Sequence, residues 1–323
     1  MMNQPERAPS TENNPYADGC AWIDGALVPI AEARIPMLDT GFTRSDCTYD
    51  VVAVWNGRFF RLDDHLERFE RSWRHSRFEP PLDRAGIRRV LHECVHASGL
   101  DDAYVEMIVT RGVPVAGERD PRSFANRFYA FAIPYVWIVR PEQQDAGIAM
   151  VVARDTVRID PRAVDPTVKN FHWGDLVAGL FEAYDRAAQN VVLLNAAGEV
   201  TEGPGFNIFA VCAGTLWTPA AGVLEGITRR SVIELAARAG IPTRVEMFGP
   251  ERLQAADELF ITSTAGGVMP VTRLDDQPVG DGRPGALTRT LRQAYWDAHG
   301  DPLWSSPVRP PLLSPRKPAT HHD

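Results

Sequence analysis

The sequence contains very little lysine. Only Lys169 and Lys317 stand beside 32 arginines in 323 residues, although lysine is normally among the commonest residues. Arginine stays charged at any relevant pH, whereas a buried lysine can lose its proton and become a nucleophile or a base. Lys317 lies in a proline-rich end, PLLSPRKPATHHD. Lys169, in VDPTVKNFHWGD, is therefore the candidate for amine chemistry, and the alternative is a lysine on a solvated surface.

Other scarcities exclude whole classes of protein. No apolar run approaches the roughly 18–20 residues of a membrane-spanning helix, and the first 19 residues lack the apolar stretch of a secretory signal. The formal charge of −8 disfavours nucleic acid or an anionic membrane as the main partner. We expect a reduced, cytoplasmic protein without a disulfide framework, because only four cysteines occur and their spacing is wide: Cys20, Cys47, Cys94 and Cys212.

Composition along the chain divides it into five parts. Residues 1–18 and 305–323 are rich in proline and polar residues and predict a flexible extension and a proline-rich tail. The polar stretch RPEQQDAG at 140–147 predicts a linker. It would separate a small N-terminal domain, 19–139, from a larger C-terminal domain, 148–304.

Turn residues and apolar spacing predict the first elements. Asp24-Gly25 and Asn56-Gly57 each separate two apolar runs, which indicates β-hairpins. Apolar residues at spacings of three and four predict a helix over Leu62–Phe78, with Asp63 or Asp64 as its cap, and a second helix over Asp83–Ser98. Strand-like and helical runs then mix without regular βα alternation, which favours an α+β fold.

Two segments have the character of phosphate sites. In VLEGITRRSV, a helix is predicted to open at Ile227 and Thr228, and helix N-termini bind phosphate readily. In FITSTAGGVMP, Ser263 and Thr264 precede a flexible Ala-Gly-Gly turn whose amides could face an anion. Either segment alone could be an ordinary turn.

Together with the rare lysine, these segments suggest pyridoxal 5'-phosphate (PLP), which forms a Schiff base with lysine. Such a site needs a carboxylate for the pyridine nitrogen. Glu202, before a Gly-Pro-Gly turn in EVTEGPGFNIF, is one candidate, and Glu199 is its competitor.

The run HECVH matches a zinc-protease pattern, in which two histidines four residues apart bind the metal. The predicted helix buries Ile87 and Leu91 and turns His92 and His96 to its polar side, and no third ligand lies nearby in sequence. We therefore expect a solvated helix face and no metal site.

In this order, the motifs resemble the fold-type IV PLP enzymes, the family of branched-chain and D-amino-acid aminotransferases. The resemblance runs from about Cys20 to His299 and rests on RLDDHLERF, DPTVKN, TEGPGFNIF, LEGITRRSV and TSTAGGVMP. Within that family the chain is most similar to the (R)-selective amine transaminases. The resemblance implies two domains, a strand-rich C-terminal core, and a homodimer with the active site at its interface.

The resemblance also implies roles for single residues. Lys169 would form the Schiff base, Glu202 would face the pyridine nitrogen and Leu224 would pack on the ring. The phosphate would be bound by Arg68, Ile227, Thr228 and Thr264, to which the turn in FITSTAGGVMP adds Ser263. The substrate pocket would include Tyr49, Tyr104, Glu106, Trp173, Arg44 and the mobile-loop residue Arg119.

Two departures bear on the substrate. Branched-chain enzymes of this family carry a tyrosine five residues after the lysine, where this chain has Gly174. Close amine transaminases often carry a histidine where this chain has Arg44, and an arginine there could favour D-amino acids.

We therefore predict a transaminase that moves an amino group from a primary (R)-amine to a keto acid such as pyruvate, with pyridoxamine phosphate as the intermediate form of the cofactor. The alternatives are a D-amino-acid or branched-chain aminotransferase, 4-amino-4-deoxychorismate lyase, a zinc hydrolase, and a binding protein without turnover.

Overall fold

The computed structural model describes residues 14–309, and its first layer is a seven-stranded sheet. The strand order is β15-β4-β3-β5-β6-β1-β2, and every neighbouring pair is antiparallel. The strands are β1 (Cys20–Ile23), β2 (Ala26–Pro29), β3 (Cys47–Trp55), β4 (Arg58–Phe60), β5 (Ala103–Thr110), β6 (Arg127–Pro134) and β15 (Ser305–Pro307).

The two predicted hairpins are confirmed. Asp24 and Gly25 have φ values of 49° and 86°, and Asn56 and Gly57 have values of 49° and 69°. Two successive left-handed residues form the turn whose twist matches antiparallel strands, and Asx-Gly pairs adopt it most readily. The turn sequences thus determine the pairing of β1 with β2 and of β3 with β4.

Helices α2 (Leu62–His75) and α3 (Arg84–Ser98) cover one face of this first sheet. The short helix α1 (Thr40–Arg44) lies against the end of β5, where Gly41 meets the Thr110 side chain. The main core lies between α2, α3 and the sheet. Asp83 caps α3 by accepting a bond from the Gly86 amide at 2.7 Å. The predicted cap of α2 is wrong. The helix begins at Leu62, as predicted, but it follows Arg61 in a left-handed conformation without a side-chain cap, and Asp64 pairs with Arg61 instead. It ends at His75, three residues before the predicted end at Phe78.

The second sheet contains both parallel and antiparallel pairs in the order β11-β10-β9-β12-β13-β7-β8. Its strands are β7 (Ile148–Val157), β8 (Asn190–Leu194), β9 (Asn207–Cys212), β10 (Thr215–Thr218), β11 (Thr243–Val245), β12 (Glu258–Ser263) and β13 (Gly267–Leu274), with β14 (Gln277–Pro278) paired to β13. The remaining helices are α4 (Pro141–Ala146), α5 (Gly174–Asp185), α6 (Ile227–Arg238), α7 (Pro250–Gln254) and α8 (Ala286–Asp297). Helix α5 packs on β7 and β8, and α8 packs on β12 and β13.

Parts of the predicted linker and ends are ordered elements. The linker at 140–147 contains α4, because Pro141 starts a helical turn after Arg140. Residues 305–307, predicted as the start of the tail, pair with β4. Asn14, predicted to be flexible, donates to the Ala97 carbonyl at 2.9 Å. Residues 1–13 and 310–323 lie outside the described part, and the domain boundaries stay a prediction.

The two sheets with their helices make the fold α+β, as predicted. Within residues 14–309, no helix has the length and apolar character needed to cross a bilayer.

Candidate active site

A cavity of about 420 Å³ lies between the first sheet and the second. Its size suits a small-molecule ligand. Strands β3 and β5 and helix α2 line it from one side, and loops of the second sheet line it from the other. Eleven residues predicted for the site line it together: Tyr49, Arg68, Tyr104, Lys169, Trp173, Glu202, Leu224, Ile227, Thr228, Ser263 and Thr264.

Lys169 lies on the segment between β7 and α5 and is held against the first sheet. Its carbonyl accepts bonds from the Tyr49 amide at 3.1 Å and from the Thr48 hydroxyl at 2.7 Å. Its Nζ lies 4.3 Å from the centroid of the Tyr49 ring. Phe171 stacks on that same ring with a centroid distance of 4.3 Å. The backbone and the aromatic pair therefore fix the half-buried amine at the cavity wall.

One end of the cavity is built on Arg68, on the buried face of α2. Its Nε and Nη2 donate to the two oxygens of Asp50 at 2.7 and 2.8 Å, and its Nη1 donates to the Glu225 carbonyl at 3.1 Å. His65 Nδ1 lies 2.8 Å from the same carboxylate. Burial would raise the pKa of Asp50, but Arg68 and His65 hold it well below its usual range. Asp50 thus fixes the plane of the arginine.

The same end contains the N-terminus of α6 and the turn after β12. The amides in the first turn of a helix have no partner within the helix, and two of those in α6 belong to the cavity-lining residues Ile227 and Thr228. Tyr135 fixes the turn after β12. Its hydroxyl donates to the Thr264 carbonyl at 2.5 Å and accepts from the Gly266 amide at 3.0 Å. This end therefore combines a guanidinium, hydroxyls and free amides, which suits an anion.

Another part of the cavity wall is built on Glu202, which is 6% exposed. Its Oε2 accepts from the Leu224 amide at 2.8 Å, and its Oε1 accepts from Arg158 Nη2 at 3.1 Å. Burial raises the pKa of Glu202, and Arg158 and the Leu224 amide act against that rise. A Cβ on Gly203 would lie 2.3 Å from the Val191 carbonyl oxygen, so only glycine lets the chain turn so close to β8.

Glu106 is buried on β5 of the first sheet, beside the cavity-lining Tyr104. Its Oε2 accepts from the hydroxyl of Tyr104 at 3.1 Å. Burial raises the pKa of Glu106 to about 7, although the Tyr104 hydroxyl and the charge of Lys169 act in the opposite direction. Glu106 therefore changes charge near neutral pH, although it does not itself line the cavity.

Several predicted candidates are not part of the cavity. Arg44, at the end of α1, and Arg119, in the loop after β5, are exposed, and neither lines the cavity of its own chain. Glu199 is used locally by Asn195, whose Nδ2 donates to it at 2.9 Å. His92 packs edge-to-face on Phe59.

Burial lowers the pKa of His92 to about 4. Its Nδ1 accepts from the Arg309 amide at 3.1 Å, so the ring has a packing and hydrogen-bonding role. Among residues 14–309, no group of three or more His, Cys, Asp or Glu side chains is arranged to hold a metal ion.

The sequence did not predict the residues that hydrogen-bond to the cavity-lining groups and hold them in place. Asp50, Arg158 and Tyr135 touch the predicted residues, but each lies far from its partner in sequence. Because side chains alternate along β3, Asp50 points to the other face of the sheet from Tyr49, toward α2. This alternation was the one sequence signal that could have indicated its pairing with Arg68.

The residues in the cavity fit a phosphorylated aldehyde that carries a ring nitrogen. Arg68, Ile227, Thr228, Ser263 and Thr264 would hold the phosphate, Glu202 the ring nitrogen, and Lys169 the aldehyde. When bound, PLP supplies a carbonyl that lysine can hold covalently and a ring that accepts electrons.

Comparison with known proteins agrees with this fit. The aminotransferase class IV family pattern matches residues 48–274. The D-alanine aminotransferase of Listeria monocytogenes serotype 4b is 30% identical over 280 residues, which cover 84% of this chain and 93% of that protein. The branched-chain-amino-acid aminotransferase of Salmonella typhimurium is 26% identical over 283 residues, or 85% of this chain and 91% of that protein.

Solved structures agree as well. The branched-chain amino acid aminotransferase of T.th. with pyridoxamine 5'-phosphate superimposes with a TM-score of 0.82 at 27% identity, covering 90% of this chain and 99% of that chain. The enzyme from Thermoproteus uzoniensis with norvaline has the same TM-score and coverage at 29% identity. The fold, the cavity and the family pattern together show that the chain belongs to the class IV aminotransferases, the fold-type IV enzymes that use pyridoxal 5'-phosphate.

Proposed function

We propose that the protein transfers an amino group from a primary (R)-amine to a keto acid such as pyruvate. One observation carries the choice of an amine over an amino acid. Among the described residues, two arginines line the cavity: Arg68, which pairs with Asp50 and would hold the phosphate, and Arg158, which pairs with both Glu202 and Asp175. The carboxylate of an amino acid would therefore find no free guanidinium within this chain's cavity.

The walls suit an apolar donor. Several side chains around the cavity are aliphatic or aromatic: Val51, Val136, Ile138, Leu180 and Phe206. Gly174, five residues after Lys169, is exposed and does not line the cavity. A donor without a carboxylate could fill the cavity between the apolar side chains and exclude water, which strengthens the electrostatic interactions inside it.

Two side chains would act on protons during the transfer. The amine of Lys169, once released by the donor, would move the proton of the carbon that carries the amino group. Glu202 would hold the proton of the ring nitrogen throughout and so maintain the electron-accepting state of the ring.

The keto acid needs a positive charge that the donor does not need. Arg119 is the candidate, because it is exposed and no ion pair within the described residues engages it. It would reach the acceptor carboxylate by movement of its loop or from a second copy of the chain. Two parallel N–H···O bonds from a guanidinium would give both charge and orientation.

The test is a spectroscopic half-reaction. Purified holoenzyme is mixed with (R)-1-phenylethylamine, (S)-1-phenylethylamine, D-alanine or L-leucine, and the loss of the visible cofactor band is timed. We expect the (R)-amine to bleach the band fastest. Faster bleaching by either amino acid would overturn the proposal.

A D-amino-acid or branched-chain aminotransferase is the second candidate. It is favoured by the similarity to the D-alanine and branched-chain enzymes, and D-alanine and L-leucine in the same assay represent it. The lyase alternative has a separate signature, pyruvate release from 4-amino-4-deoxychorismate without an amino acceptor.

We also propose that the chain works as a homodimer whose interface closes the cavity. Met37, Leu38 and Phe42 are exposed in one segment, and Met37 is 73% exposed. Phe181 is 63% exposed on α5, next to Tyr184, which also lines the cavity. Light scattering should give twice the chain mass, and Phe181→Glu should shift it toward the monomer.

A further inference from the structure

Arg158 is a buried cation whose role neither the sequence motifs nor the expected cofactor contacts explain. It follows β7 directly and is 9% exposed. Its Nη1 donates to Asp175 at 2.6 Å and its Nη2 donates to Glu202 at 3.1 Å. It therefore connects the carboxylate that faces the cofactor ring with a second carboxylate behind it.

Each member of this chain of charges is fixed by the backbone. The Arg158 amide donates to the Leu194 carbonyl at 2.9 Å, which ties it to β8. Asp175, in the first turn of α5, accepts from the amides of Ile159 and Leu176, both at 2.8 Å. Rigid elements therefore determine where the guanidinium points.

Glu202 is held by one bond on each oxygen, from Arg158 on Oε1 and from the Leu224 amide on Oε2. Two such bonds fix the plane of the carboxylate. An ionised carboxylate has about four acceptor positions, so it retains capacity for a proton donor on the cavity side.

We propose that Arg158 is a positioning residue that keeps Glu202 ionised and correctly oriented toward the ring nitrogen of bound PLP, and that Asp175 in turn holds Arg158. This inference rests on the cofactor and on no particular amino donor. Its failure can therefore be distinguished from a failure of the proposed substrate preference.

The physical reason is the cost of a buried charge. A carboxylate removed from water favours its protonated form unless a nearby cation compensates. The pKa of Glu202 is already raised by burial, and Arg158 is the nearest cation that acts against this. A protonated Glu202 could no longer hold the ring nitrogen in its charged form, so the ring would accept electrons poorly.

The first experiment removes the charge. Holoenzyme variants Arg158→Met and Arg158→Lys are compared with Arg186→Met. Arg186 is a matched control, because it is part-buried, pairs with Glu182 and Asp275, and does not line the cavity. The readouts are the visible cofactor band across pH, the dissociation constant of PLP, and the rate of band loss with the best donor.

We expect Arg158→Met to make the visible band depend on pH around neutrality. It should also slow band loss by about 10- to 100-fold, which is the size of effect seen in metal sites when a residue that hydrogen-bonds to a metal ligand is removed. Arg158→Lys should recover part of the rate, because it restores the charge without the two-pronged geometry. Arg186→Met should lose thermal stability but keep the spectrum and its pH profile. A spectrum in Arg158→Met that follows the wild-type pH profile would overturn the proposal.

A double-mutant cycle separates positioning from structural support. If Arg158 acts through Glu202, Arg158→Met should slow band loss little further in a Glu202→Gln background. Equal slowing in both backgrounds would contradict the proposal. Should Arg158→Met fold poorly, Asp175→Asn loosens the same guanidinium without removing it. It should change the pH profile in the same direction by a smaller amount, and an unchanged profile would count against the proposal.

Discussion

The Arg68 site and the Glu202 site each combine an arginine with a carboxylate, and they differ in which of the two charges the cavity presents. At one, Arg68 lines the cavity and pairs with Asp50, which is completely buried and does not line it. At the other, Glu202 lines the cavity and pairs with Arg158, which also reaches the cavity wall. Each site would thus present one charge to a cofactor and keep the opposite charge as its support. The first suits a phosphate, and the second suits a protonated ring nitrogen.

This difference shows how a buried cavity can present a charge without a large loss of free energy from burying it. A buried ion loses its hydration, and a partner with good geometry must replace it. Asp50 is completely buried, pairs with Arg68 and His65, and accepts a further bond from the Val51 amide. Arg158 is slightly less buried and divides its two Nη groups between Glu202 and Asp175. The phosphate site should therefore be the more rigid of the two.

The largest effect is expected from breaking the support of Arg68. Asp50→Ala would leave a buried guanidinium without a counter-charge, and this should lower the free energy of unfolding by about 3–5 kcal/mol. Chemical denaturation measures it. Asp63→Ala is the matched control, because Asp63 of α2 forms an exposed pair with Arg88, and it should cost below about 1 kcal/mol. Equal losses would show that Asp50 gives no special support.

The second prediction tests the opposite roles of the ligand-facing groups. Glu202→Gln should slow band loss with the best donor by about 10²–10³-fold, because it removes an electrostatic group from the reacting centre. Arg68→Met should mainly weaken PLP binding, by about 10- to 100-fold, because one charge-assisted interaction with phosphate is lost. Stopped-flow absorbance and equilibrium dialysis measure the two. The same pattern of losses in both variants would contradict the assignment.

The third prediction contrasts Asp50 with Glu106, a buried carboxylate that has no arginine partner among the described residues. The folded state raises the pKa of Glu106 to about 7. The folded protein therefore binds the proton more tightly than the unfolded chain, and its stability falls as pH rises from the unfolded pKa through about 7. The loss is on the order of 3 kcal/mol.

Glu106→Gln should remove most of this dependence in the apoenzyme, measured as the free energy of unfolding against pH. Asp50 contributes with the opposite sign, because its pKa is lowered: its stabilisation is present above the unfolded pKa and is lost as pH falls. A wild-type profile that stays flat from acidic to neutral pH would contradict the assignment of Glu106.

The smallest effect is expected at Arg119, which is exposed, whereas Arg68 and Arg158 are both buried and paired with carboxylates. Arg119→Ala should weaken the use of pyruvate by about tenfold, the effect of losing roughly 1.4 kcal/mol of binding, and should leave the half-reaction with an arylalkyl amine nearly unchanged. Separate half-reactions measure this. Equal losses in both would reject the role.

Sequence reasoning succeeded where the signal is local. Asn56-Gly57 specifies its own turn, and the scarcity of lysine directed attention to Lys169, which the structure places at the cavity wall. It failed where the cause is tertiary. Arg158 is one of 32 arginines, and only the approach of β7 to the Glu202 turn distinguishes it. Residues 305–307 have no strong strand pattern, yet they pair with the edge strand β4, because tertiary pairing overrides weak local preference.

The most direct test uses the scarcity of lysine. The chain contains two lysines, so reduction of the holoenzyme with borohydride, followed by digestion and mass spectrometry, leaves only two lysine side chains, besides the N-terminal amine, as sites for a phosphopyridoxyl label. We expect the label on the peptide that contains Lys169 and no label in Lys169→Ala. A label on Lys317, or on neither peptide, would contradict this expectation.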